Sequence, residues 1–174
     1  MVRPDSVLNS WKSIRSDTAQ AVEDFSAHEL DYRPVADVMT FGEIARHVLE
    51  AGHGTTGMLL DGVENMATPQ LREMFAKYSA QLPKTEGAGA LARELRSQLE
   101  TRLAVLAAQP ASFFSGEVIR FDGQKVTRLE MLQMIKEHEL AHRSQLFLYL
   151  RLKGIVPPTT RRRTAAAKAE QAGR

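Results

Sequence analysis

The sequence contains no cysteine. Disulfide bridges, thiolate metal ligands and cysteine nucleophiles are therefore excluded. No apolar run approaches the roughly 20 residues that a membrane-spanning helix needs. The opening Met1-Val2-Arg3-Pro4-Asp5 leads into no hydrophobic stretch, so no secretory leader is expected. Together these absences fit a cytoplasmic protein. Proline is scarce, at seven residues, and six of the seven, Pro34, Pro69, Pro83, Pro110, Pro157 and Pro158, fall at the joints between periodic segments.

What is present is ordinary for a globular protein: 174 residues, 43% hydrophobic and 25% charged. That length fits one domain with a core of normal size. The net charge of +2 is unevenly spread. Residues 159–174 hold Arg161, Arg162, Arg163, Lys168 and Arg174 against one acid, Glu170, so the body carries a formal charge of about −2. The reading is a domain over residues 1–158 followed by a basic, disordered tail over 159–174. The tail could touch nucleic acid through Arg161 to Arg163, but no recognition motif accompanies it, and nucleic acid is not the expected partner.

Apolar residues recur at helical spacing in four long segments. The first runs over about 5–27, capped by Asp5 or Ser6, with Val7, Trp11, Ile14, Thr18, Val22 and Phe25 on one face. The second runs over about 40–60. Thr40 and Glu43 form a capping box there, and Phe41, Ile44, Val48, Thr55 and Leu59 mark its buried line. Gly52, Gly54 and Gly57 interrupt this segment; either close packing against a neighbour or a local distortion accounts for them. A shorter helix is expected over about 68–82. The third long one spans about 90–107 on Leu91, Leu95, Leu99, Leu103 and Leu106. Alternation over residues 117–121 and the Asp122-Gly123 turn predict a small irregular hairpin or extended loop. The last helix runs over about 128–153 from a Thr127/Glu130 cap to Gly154. The fold class is all-α: a four-helix bundle with a short extra helix and a hairpin before the final helix.

The last helix carries the chemistry. Its apolar line reads Met131, Ile135, His138, His142, Leu146 and Tyr149. Two histidines four apart project from one face and can share an ion, since metal–nitrogen bonds are about 2.0–2.1 Å long. The string His138-Glu139-Leu140-Ala141-His142 is the H-E-x-x-H of zinc peptidases, with the glutamate as base. A peptidase needs a further ligand, usually downstream, and none follows His142 in a suitable place. A third ligand is better found upstream, in His47 on the second helix. Three histidines leave an open position for water or substrate. Glu139 is rotated about 100° from His138, which favours a surface salt bridge. Glu50, one turn after His47, suits a supporting partner, a fourth ligand or a solvated acid equally. His28 reads as a surface residue, and His53 as turned away from the site.

These motifs carry a resemblance to the DinB/YfiT family of damage-inducible four-helix-bundle metalloproteins. It rests on Arg33-Pro34 with Thr40 to Val48, on Val126 to Glu130, on His138 to Leu146 and on Tyr149 to Pro158. Family members often read His-His-Arg-Gly-Gln at the last ligand. Here Ala141 and Ser144 depart from that pattern, neither at a ligand position. The resemblance implies a commonly dimeric bundle with one histidine ligand from the second helix and two from the fourth. It also implies nickel or zinc as cofactor. Characterised relatives include transferases that use bacillithiol or a similar low-molecular-weight thiol, and a mycothiol-dependent isomerase. The functions to weigh are therefore a metal-dependent thiol S-transferase or hydrolase, acting on a small-molecule substrate, and a non-catalytic, stress-linked metal or ligand-binding module.

Overall fold

The computed structural model describes residues 2–25 and 29–173. Nine elements follow one another: α1 (Pro4–Asp24), α2 (Phe41–Leu60), α3 (Leu71–Ser79), α4 (Gly87–Ala107), α5 (Ala111–Ser115), β1 (Glu117–Ile119), β2 (Lys125–Thr127), α6 (Arg128–Leu152) and α7 (Pro158–Ala172). The fold is all-α, with the short antiparallel pair β1–β2 as its one sheet among the described residues. No helix among them is long and apolar enough to cross a membrane.

Four long helices make the bundle. α1 packs on α4 and α6, and α2 packs on α4 and α6. The expected apolar lines supply its core: Val7, Trp11, Ile14, Thr18, Val22 and Phe25 are all buried, as are Leu91, Leu95, Leu99, Leu103 and Leu106. Both anticipated capping boxes form: Thr40 with Glu43 opens α2, and Thr127 with Glu130 opens α6. α1 starts differently from expectation. Pro4 occupies its first turn and no side chain caps it, so neither Asp5 nor Ser6 does that work.

The glycines of α2 are sites of close approach. A β-carbon at Gly54 would lie 2.6 Å from the Phe75 ring, and one at Gly57 would lie 2.5 Å from the Tyr78 ring. Both rings belong to α3, which docks on α2 in the space those missing side chains leave. Tyr78 is then pinned by its hydroxyl, which donates to Asp61 at 2.6 Å.

β1 and β2 pair from Glu117–Thr127 to Ile119–Lys125 around a turn in which Gly123 has φ +84°. The basic segment expected as an open tail carries helix α7 in the structure. Its side chains are mostly exposed, but Arg161 pairs with Asp24 and Arg162 with Asp17, both acids of α1. Two of the three consecutive arginines thus face acids of the bundle.

Candidate metal centre

His47 comes from the middle of α2, and His138 and His142 from successive turns of α6. The structure brings the three together. Nε2 of His47 lies 3.1 Å from Nε2 of His138, and Nε2 of His142 lies 3.2 Å from the same atom. One nitrogen from each ring falls within 4.8 Å of the others, a group that could hold a metal ion. An ion about 2.0–2.1 Å from each of two tetrahedral ligands sets them about 3.3 Å apart, close to both separations.

The protonation pattern also suits a cation. Nδ1 of His142 lies 2.7 Å from Oε1 of Gln145. An amide oxygen only accepts, so Nδ1 carries the proton and the Nε2 lone pair faces the other rings. The single Nε2 of His138 can either donate to one neighbour or accept from His47, so neutral rings leave one of the two contacts without a hydrogen bond. A cation satisfies all three lone pairs at once. Burial, followed by the His142 ring, holds His47 below the ordinary imidazole value. His138 is pushed down to about 4, chiefly by burial and then by His142 and His47, with Glu139 pulling the other way. Neutral imidazole is the form that binds metal.

Beside the rings lies an open cavity of about 390 Å³. Its walls include His47 and His138, the apolar side chains Leu71, Phe75, Phe121, Met134 and Ile135, and the polar Glu50, Thr55 and Ser79. Among the described residues neither lysine nor arginine lines it, and Glu50 is its one carboxylate. Glu50 is half-buried and stands outside the group of three nitrogens. Phe121 reaches the cavity from the turn of the hairpin, and Leu71, Phe75 and Ser79 reach it from α3.

A family model for the DinB family matches residues 1–172. The chain belongs to the DinB family. It is 25% identical over 157 residues to an uncharacterized protein of Bacillus subtilis, YjoA, covering 88% of this chain and 93% of that protein. The crystal structure of that DinB-like protein matches with a TM-score of 0.65 over 85% of this chain and 91% of that one, at 25% identity. A DinB-like protein from Bacillus cereus matches with a TM-score of 0.69 at 17% identity, over 89% of this chain and 95% of that one. A mycothiol-dependent maleylpyruvate isomerase matches with a TM-score of 0.61 at 20% identity, over 83% of this chain and 61% of that one.

Within this DinB-family bundle the remaining candidates separate. Glu139 is not on the surface, as its rotation from His138 suggested. It is 2% exposed and faces α1, where it accepts from Trp11 Nε1 at 2.6 Å and from Arg15 Nε and Nη2 at 2.7 and 2.9 Å. Both oxygens are occupied, so it is not available as the base of an H-E-x-x-H peptidase. The reason is helix phase: the buried line of α6 runs Leu132, Ile135, Glu139, Leu146 and Leu150, and the two histidines border it. His53 is buried away from the three rings, beside the Arg102 guanidinium and the Tyr78 ring. Burial and Arg102 hold it below the ordinary imidazole value. His28 lies outside the described residues. Gln145 was not singled out as part of the site from sequence; its signal is the three-residue spacing from His142, which puts the two side chains on one helix face.

Proposed function

We propose that His47, His138 and His142 bind one divalent cation, nickel or zinc, and that this centre serves metal-dependent chemistry on a small molecule. The observation that carries this reading is the convergence of three imidazoles, two of which, His47 and His138, line an apolar cavity. A divalent cation there supplies Lewis acidity, lowering the pKa of a thiol or water at its open position. The cavity residues Leu71, Phe75, Phe121 and Met134 favour a hydrophobic co-substrate, since no lysine or arginine among the described residues lines the cavity to recognise an anionic one. Glu50 is the carboxylate available on the cavity wall to take up the released proton. The mycothiol dependence of an isomerase with this fold is what suggests a low-molecular-weight thiol as the partner. Thiol S-transfer to an apolar electrophile is the reaction this combination fits best, with hydrolysis by an activated water as its variant. The exposed Leu148 and Leu152, one turn apart on α6, support a homodimer.

The test begins with elemental analysis of untagged protein beside the His47→Ala variant. Stoichiometric nickel or zinc in the parent, lost in the variant, is the expected result. Consumption of thiol against apolar electrophiles, with and without chelator, then reads the reaction. Metal bound without turnover would favour a binding module, and metal retained by the variant would refute the ligand set.

A further inference from the structure

The side chain of Arg15 reaches both helices that carry the three histidines, in each case at the residue that follows one of them. On α6 its Nε and Nη2 donate to the Glu139 carboxylate, next to His138, at 2.7 and 2.9 Å. On α2 its Nη2 approaches the Val48 carbonyl, next to His47, at 3.4 Å. Its Nη1 donates to the Leu95 carbonyl of α4 at 2.9 Å. The whole assembly is sealed: Arg15 is 3% exposed and Trp11, which completes the Glu139 shell, is fully buried. α2 admits it because residue 52 is glycine; a β-carbon there would stand 2.9 Å from Arg15 Nη2 and 3.4 Å from the Trp11 ring.

A buried ion pair is weak evidence for stability by itself, since an apolar replacement of similar shape is often as stable. What this pair adds is geometry. A guanidinium fork has fixed directions, so it sets the distance and phase of α2 against α6 at the level where His47 must meet His138. Ring nitrogens 3.1 Å apart on different helices tolerate little drift before they cease to share one ion.

We propose that Arg15 and Glu139 are positioning residues for the three-histidine centre, acting as a clamp that holds its two helices in register. The glutamate of the H-E-x-x-H string is thus a structural partner of the ligands on the side of the helix away from the cavity. This inference rests on the metal-binding reading above, and the two fail separately.

The test uses cobalt(II) as the probe metal, with affinity and d–d absorption as readouts. The double variant Arg15→Met/Glu139→Gln removes both charges and keeps an acceptor for Trp11 Nε1. It is expected to retain its helix content by circular dichroism, to bind cobalt roughly ten- to a hundredfold more weakly, and to show an altered absorption band. Arg15→Lys keeps the charge without the fork and is expected to fall between the two, and it replaces the double variant should that one not fold. Leu106→Ala, a fully buried core site in the region that holds Trp11, controls for lost stability: its melting temperature drops while its cobalt affinity stays. Parent-like affinity and an unchanged band in the folded double variant, or in the Arg15→Lys variant that replaces it, overturn the clamp and leave the metal site standing. A parent that binds no cobalt overturns both.

Discussion

The His138 ring makes the metal-free protein sensitive to mild acid in a direction the structure fixes. Its value in the folded chain is about 4, against an ordinary 6.5. The unfolded chain therefore takes up a proton first, and stability present in full above pH 6.5 is lost as the pH falls toward 4. Between pH 7.5 and pH 5 the linkage amounts to at most about 2 kcal/mol, and the partial solvent access of the ring reduces this to about 1 kcal/mol. His138→Leu removes the titrating group while keeping similar bulk. Urea unfolding of both chelated proteins across that range isolates the effect of the ring and its coupling to its neighbours, because the carboxylates contribute to both proteins and cancel in the difference. The expected outcome is a variant that gains on the parent by about 1 kcal/mol as the pH drops to 5. A flat difference, or one that favours the parent in acid, would refute the depressed value and with it the picture of a desolvated ring crowded by two others.

Other perturbations give distinct readouts. Gln145→Leu frees the His142 tautomer and is expected to weaken zinc binding about tenfold, read by chelator competition, with metal-free stability changed by less than about 0.5 kcal/mol. Gly57→Ala places a methyl group against a Tyr78 ring that its bond to Asp61 holds in place; overpacking outweighs the gain in helix propensity for a net loss of about 1–2 kcal/mol in urea unfolding. Phe75→Ala strips one wall of the cavity. It is expected to weaken binding of an apolar dye about tenfold while zinc stoichiometry stays at the parent value.

The sequence made the bundle legible because its long segments carry apolar residues at every third or fourth position, and on α1, α2 and α4 the side chains on those lines are buried. His47, His138 and His142 could be grouped in advance for the same reason: two stand one turn apart, and the third lies at the edge of the buried stripe of a second amphipathic helix. Phase within a helix is harder to read than periodicity. On α6 a line drawn through Ile135, His138 and His142 and one drawn through Ile135, Glu139 and Leu146 fit the spacing about equally well. The line through the histidines leaves Glu139 rotated about 100° off it, and so toward the surface. The deciding partners, Trp11 and Arg15, lie more than a hundred residues away on α1, and Arg15 sits on a helix whose apolar line already looked complete. α7 was missed for a related reason. Its composition gives it no apolar face, and what ties it to the body is the placement of Asp17 and Asp24, which becomes visible only once α1 and α7 lie together. Asp17 is itself buried and also meets Arg143, the residue after His142, at 3.3 Å. The three histidines are thus each followed by a residue whose backbone carbonyl or side chain bonds an ionic group carried by α1: Val48 and Glu139 through Arg15, and Arg143 through Asp17. α1 carries none of the three histidines, yet its Arg15 and Asp17 meet residues on both of the helices that do.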